Sequence, residues 1–316
     1  MEKRKLGNSG LEVAPLAFGG NVFGWTADEA TSFKLLDAFV DQGFNLIDTA
    51  DVYSKWVPGN KGGESETIIG KWMKKSGNRD KVVIVTKVGM EFSPTQKGLS
   101  KAYILKEAEE SLKRLQTDHI DLYLSHKDDE TTLQLETLEA YAQLLKEGKV
   151  RAIGASNFTV QRLAEALHLS KEHNLPKYEV LEPEYNLYDT DFQQELAPFC
   201  MQNSLGVISY FSLASGFLTG KYRSEADLSK SKRGHGVKKY LNERGFRILA
   251  AMDEIAQHYN TSLASVALAW LINQPIVTAP IASATNLDQF KELVQAVNLK
   301  LEKDSIHKLN EASKGD

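Results

Sequence analysis

The 316-residue chain is 42% hydrophobic and 25% charged, which is ordinary globular usage and enough apolar sequence for a sizeable core. Its net charge of −4 gives no reason to expect nucleic acid or an anionic membrane as partner. The single Cys200 excludes an intrachain disulfide, no His or Cys pairing has zinc-site spacing, and no run approaches the ~20 apolar residues of a membrane span. Behind the basic start "MEKRKLGNSGLEV" there is no apolar segment, so no secretory signal is read and a soluble, cytoplasmic protein without bound metal is expected.

In chain order, "KRKLGNSGLEV" reads as a hairpin turning at Asn8, Ser9 and Gly10. The strands "VAPLAF" and "FNLID" follow, then the helical period of "SETIIGKWMKK" and a third strand, "VVIVTK". A helix over "YILKEAEESLKRL" precedes the strand "HIDLYLSH"; another over "TLEAYAQLLKEG", with Gly148 at its C-terminal cap, precedes "VRAIGAS". "YEVLEPE", "GVISYF" and "PIVTAPIAS" complete eight strands. Strands apolar on both faces and separated by helices predict a parallel sheet covered on both sides. With no linker or compositional break, the expected fold is one α/β domain over residues 1–316, a (β/α)8 TIM barrel whose N-terminal β-hairpin caps one end. Two doubly wound domains would call for a G-x-G-x-x-G fingerprint after a strand, and "GGNVFG" lacks that spacing. From Phe211 to about Pro275 the connection between the seventh and eighth strands far exceeds an ordinary βα loop, which marks it as functional.

Active sites of such barrels lie at the C-terminal ends of the strands. There the second strand ends in Asp48, the third in Lys87, the fourth in His126, the fifth in Ser156 and Asn157, the sixth in Glu182 and the seventh in Tyr210. Singly, each suits a plainer role: Asp48 an Asx turn, Lys87 a snorkelling strand end, Tyr210 a half-buried core aromatic. Together they suggest chemistry. Lys87, compensated by Asp48, would lower the pKa of a neighbouring phenol, and Tyr53 is the available one. A phenol tuned toward working pH can exchange protons with substrate.

"NLIDTADVYS", "VVIVTKVG", "DLYLSH", "AIGASNF", "PEYNLYD" and "YFSLASGFLTGKYR" resemble, in order and spacing, the signatures of the aldo-keto reductases, of the bacterial type related to potassium-channel β subunits. The resemblance covers essentially the whole chain, including "ASVALAWLINQP". It implies a barrel binding a nicotinamide cofactor without a Rossmann domain, with Tyr53 as general acid in carbonyl reduction, Lys87 and Asp48 as its support, and His126 orienting the carbonyl. Ser156 and Asn157 match the pair that holds the nicotinamide carboxamide, and Tyr210 the aromatic on which that ring stacks. Phe211, Ser212, Leu213, Ser215 and Gly216 are implied as further cofactor contacts.

Between Lys221 and Arg247 nine basic residues stand against three acidic ones. The resemblance implies that this region, Lys221 and Arg233 included, folds over the cofactor pyrophosphate, with Gly220, Gly234 and Gly236 permitting lid motion. Two positions depart from the pattern. Glu182 stands where glutamine is usual, and an ionised carboxylate accepts from the carboxamide but cannot donate. After the eighth strand the lysine and arginine directed at an adenosine 2'-phosphate are missing, leaving Ser283, Thr285, Gln289 and a helix N-terminus near Asn286. Trp25, Trp56 and Tyr188 are candidates for an apolar substrate pocket, or equally for loop packing. The expected function is NADPH-dependent reduction of a small-molecule aldehyde or ketone, with NADH possible. The alternative is a cofactor-sensing regulatory subunit with little or no catalysis.

Overall fold

The computed structural model describes residues 2–315. Strands β1 (Arg4–Lys5) and β2 (Glu12–Val13) pair antiparallel, and Gly7 and Gly10 take the positive φ that their turn requires. Leu6 and Val13 are fully buried. A Cβ on Gly7 would lie 2.5 Å from both the Glu179 carbonyl oxygen and the Gly206 amide nitrogen. The hairpin therefore closes the barrel at the end where the strands begin, leaving the opposite rim free.

Eight parallel strands form that barrel: β3 (Ala17–Gly19), β4 (Leu46–Asp48), β5 (Val83–Val88), β6 (Ile120–Ser125), β7 (Val150–Ser156), β8 (Val180–Glu182), β9 (Gly206–Ser209) and β10 (Ala279–Ala282). Pairing runs in chain order and closes through β10 against β3. Successive side chains alternate, so each strand buries both faces. Leu46, Val85, Leu122, Val180 and Ile208 fill the lumen, while Ile47, Ile84, Tyr123 and Ile153 pack under the helices.

Helices α1 (Glu29–Asp41), α2 (Glu64–Ser76), α3 (Lys101–Leu115), α4 (Gln134–Lys146), α5 (Val160–Glu172) and α6 (Leu196–Asn203) follow β3 to β8 in turn. Gly148 ends α4 as expected. Its amide bonds the Leu145 carbonyl and the Lys149 amide bonds that of Leu144, a Schellman pattern that needs the positive φ observed there.

The long connection after β9 is part segment and part helix. Three 3-10 turns, Ala214–Thr219, Glu225–Lys230 and Gly234–Tyr240, precede α7 (Glu243–Tyr259) and the almost wholly buried α8 (Leu263–Ile272). After β10 come α9 (Leu287–Asn298) and α10 (Lys303–Ser313), the latter packed on α7. Among the described residues no helix is long and apolar enough to cross a membrane.

Candidate active site

The register Gly19–Asp48–Val85 sets Asp48 level with Val85, and Lys87 lies two residues further along β5 toward the free rim. Both side chains are buried. The Lys87 ammonium donates to Asp48 Oδ1, to the Thr49 carbonyl at 2.9 Å and to the Tyr53 hydroxyl at 3.0 Å. Tyr53 is carried on the loop after β4, which is tied down elsewhere: Ser54 Oγ donates to the Phe23 carbonyl, and Asn60 Nδ2 to those of Gly24 and Ser54. The phenol is thus held over the lysine by a braced loop.

Glu182 enters from the far side of the barrel. Its Oε1 lies 3.3 Å from Lys87 Nζ and the carboxyl is in hydrogen-bonding reach of Asp48, while Oε2 is buried without a partner. One ammonium thus faces two carboxyl groups. Burial, then the charge of Asp48, pushes Glu182 up to about 8 against the pull of Lys87. Raised in this way the carboxyl can hold a proton and donate, which an ionised carboxylate cannot.

The phenol also departs from expectation. Burial, together with the carboxylates of Asp48 and Glu182, raises Tyr53 above its ordinary range, and Lys87 opposes this without prevailing. The sign of the lysine's influence is as read from the sequence; the net direction is reversed, because a second carboxylate and desolvation outweigh one ammonium. Lys87 itself is held firmly charged: burial opposes its charge, but Asp48 and Glu182 more than compensate.

His126 packs edge-on to the Tyr53 ring at 5.9 Å, its Nδ1 buried and unpartnered. Burial and the nearby Lys87 lower it well below the usual imidazole range, so it is neutral. Beside it Asn157, at a positive φ, donates from Nδ2 to the His126 carbonyl at 2.9 Å and accepts from the Tyr210 hydroxyl at 2.7 Å. Ser156 Oγ donates to the Glu182 carbonyl at 2.8 Å. These bonds join the ends of β6, β7, β8 and β9 into one wall.

A cavity of about 1090 Å³ spans this wall and continues under the long connection to the start of α9. Asp48, Tyr53, His126, Ser156, Asn157, Glu182, Tyr210, Phe211, Ser212, Leu213, Ser215, Gly216, Lys221, Arg233, Ser283, Thr285, Gln289, Trp25 and Trp56 all line it. Lys87 lies beneath its floor. Tyr188 does not reach it: its hydroxyl accepts from Asn242 Nδ2 at 2.7 Å and its ring lies under the Arg244 guanidinium at 4.6 Å. Asn186 accepts from the Tyr188 and Asp189 amides to set the turn of that loop, and Tyr188 packs outside this cavity.

The basic excess divides. Lys221, Lys230, Lys232 and Arg233 line the cavity, Lys230 being also paired with Asp227 at 2.7 Å. Arg223 pairs with Asp253, Lys238 with Glu225, Lys239 with Glu184 and Asp189, and Arg244 and Arg247 bond C-terminal carbonyls. Arg233 lies 5.1 Å over the Trp25 ring with Nη2 buried and unpartnered. Of the three glycines, Gly220 has positive φ, whereas Gly234 allows close packing, since a Cβ there would overlap the Leu228 carbonyl. At the far end Asn286 caps α9 by accepting from the Gln289 amide, and the Gln289 side chain accepts from Thr285. Ser283 Oγ is 2.8 Å from both the Gly19 carbonyl and Asn21 Oδ1. Glu292 and Met90 also line the cavity and were not picked out from the sequence. Glu292 sits one helical turn beyond Gln289, a spacing that places it on the same face.

A family model described as "Aldo/keto reductase family" matches residues 15–314. The chain is 34% identical to "Uncharacterized oxidoreductase YrpG" of Bacillus subtilis, across 100% of this chain and 97% of that protein. It is 32% identical to "Protein tas" of Escherichia coli, across 96% and 95%, and 32% identical to "Probable voltage-gated potassium channel subunit beta" of Arabidopsis thaliana, across 95% and 92%. With a closed parallel barrel beneath a rim that gathers Asp48, Tyr53, Lys87 and His126, and with a full-length match of sequence, the chain belongs to the aldo/keto reductase family, a family of nicotinamide-dependent oxidoreductases.

Proposed function

We propose that this chain reduces aldehydes or ketones with NADPH, NADH serving less well, and that Tyr53 is the general acid. The observation that carries the reading is the bond from Lys87 Nζ to the Tyr53 hydroxyl at the foot of the cavity, with Asp48 on the other side of the ammonium.

The residues fit a nicotinamide dinucleotide. Buried polar atoms without partners, Glu182 Oε2 and Arg233 Nη2, belong to residues at separate points along the cavity wall, and unmatched atoms of this kind favour a polar ligand. Ser156, Asn157, Glu182 and Tyr210 would hold the nicotinamide end, Lys221, Lys230, Lys232 and Arg233 the pyrophosphate, and Thr285, Gln289 and the N-terminus of α9 the adenosine end. Glu292 beside Gln289 adds a carboxylate that opposes a 2'-phosphate, which limits the preference for NADPH. When bound, the reduced ring supplies the hydride to the carbonyl carbon.

The protein's own part is charge and position. Tyr53, kept protonated by its raised pKa, donates its proton to the carbonyl oxygen as negative charge develops there. Neutral His126 orients that oxygen and adds an uncharged contact. Trp25 and Trp56, edge to face at 5.7 Å, with Met90 and Phe211, make an apolar mouth suited to a hydrophobic substituent on the substrate.

A regulatory, cofactor-sensing subunit is the second reading, favoured by the likeness to the channel subunit. Steady-state consumption of NADPH and of NADH with a panel of aldehydes and ketones decides between them. Multiple turnovers, faster with NADPH, support the reductase; tight NADPH binding without turnover on any carbonyl supports the regulatory reading.

A further inference from the structure

Glu182 stands where a glutamine would have made the wall neutral at every pH. Its carboxyl is buried, Oε1 lies 3.3 Å from Lys87 Nζ, Asp48 is in hydrogen-bonding reach, and Oε2 has no partner. The titratable groups around it can be enumerated. Asp48 and Tyr53 face it from β4 and the following loop, Lys87 from β5, and Tyr210 from the end of β9. From β7 comes only the Ser156 hydroxyl, and His126 beyond it is neutral. Within this shell Lys87 is the single cation. It already serves Asp48, so an ionised Glu182 would leave one buried negative charge without compensation. A cation placed against Oε2 would remove that deficit.

We infer that Glu182 makes the site sense the redox state of its nicotinamide: the carboxyl meets the neutral reduced ring as an acid and the cationic oxidised ring as a carboxylate, releasing one proton to solvent. The inference rests on the nicotinamide reading above and deepens it. The geometry is the reason a glutamine could not substitute. An amide can donate and accept but holds no removable proton, whereas a carboxyl wedged between a lysine and an aspartate changes charge when a positive ring arrives. By linkage, a proton released on binding makes affinity rise with pH by up to about tenfold per unit for as long as the free site holds that proton. The reduced ring carries no charge and gives no such rise. Glu182 is thereby a specificity-determining residue: at acid pH it favours the reduced form, and toward alkaline pH it releases that bias.

The experiment is a binding titration of the full-length protein with NADPH and, separately, NADP+, between about pH 6 and 9. It is followed by tryptophan fluorescence and by calorimetry in two buffers of different ionisation heat, which counts protons. The ratio of the two affinities cancels protonation of the nucleotide phosphates, since both forms carry them. For the wild type the ratio should shift toward NADP+ by at least tenfold across this range, with close to one proton released at neutral pH on binding NADP+ and none on binding NADPH. In Glu182→Gln the ratio should be flat and the released proton absent. A flat ratio in the wild type, or an undiminished slope in Glu182→Gln, would overturn the inference while leaving the cofactor assignment intact. Failure of both nucleotides to bind would instead remove the proposed function and this inference with it. The proton count on the wild type stands by itself if the variant does not fold.

Discussion

Asp48, Lys87 and Tyr53 were legible as a set because each lies at a strand end or just beyond one, and strand ends share a rim. What spacing could not reveal was the fourth titratable group against the lysine, for Glu182 approaches Lys87 across the lumen, a contact made only by closure of the barrel. In the proposed chemistry Lys87 is the positive group bonded to the Tyr53 phenol and lowers it, so Lys87→Met should raise that phenol further. Alcohol oxidation, which needs the phenolate, should then fall more than aldehyde reduction, and its rise with pH should move to higher pH. Because Asp48 acts through Lys87, adding Asp48→Asn to Lys87→Met should cost far less than Asp48→Asn alone. Defects that simply multiply in kcat/KM would contradict the pairing. Asp51, two residues before Tyr53, makes a separate case. It is wholly buried, both oxygens lack partners, and burial with the charges of Glu66 and Glu107 raises its pKa well above the usual range. At low pH folded and unfolded chains both carry its proton and nothing is lost. As pH rises the unfolded carboxyl ionises while the folded one resists, so stability falls. Asp51→Asn should therefore leave Tm unchanged near pH 2.5, below the unfolded carboxyl's range, and raise it by a few degrees near pH 7.5; equal destabilisation at both would show the oxygens to be satisfied in solution.

At the scale of elements, the strands and helices were readable because a doubly buried strand and an amphipathic helix leave different periods. The long connection was not. Its basic excess suggested one electrostatic clamp, yet Arg223, Lys238, Lys239, Arg244 and Arg247 are engaged away from the cavity, and of the four cations that line it Lys230 is paired with Asp227. Charge composition reports how many cations a segment has and not where they point. The proposed clamp therefore rests on Lys221, Lys232 and Arg233, with Lys230 shared with Asp227. Lys221→Gln with Arg233→Gln should weaken NADPH binding and flatten its dependence on ionic strength, since screened charge contacts are salt-dependent. A salt dependence equal to wild type would return these residues to solvent. Glu292 was overlooked for a related reason: on a surface helix a carboxylate reads as solvation unless the neighbouring turn is already known to face a cavity.

The whole molecule places its chemistry by division of labour. The hairpin of β1 and β2 seals the end where the strands begin, the lumen is filled with aliphatics, and the polar groups collect at the other rim. That much was predictable, because a closed barrel leaves one end for loops to build on. The apolar mouth was less so. Trp25 and Trp56 reach it and Tyr188 does not, because long-range bonds from Tyr240, Asn242 and Arg244, with those of Asn186, hold that loop elsewhere. The central claim is that this cavity binds a nicotinamide cofactor and that Tyr53 supplies the proton for carbonyl reduction. Loss of a general acid typically costs about 100- to 10,000-fold in rate, whereas the phenyl ring left behind still fills its place. The decisive measurement compares wild type with Tyr53→Phe, recording NADPH affinity by fluorescence and kcat for aldehyde reduction on the same preparations. The account predicts nearly equal affinity with kcat reduced at least 100-fold; a variant retaining more than half the wild-type kcat would contradict it.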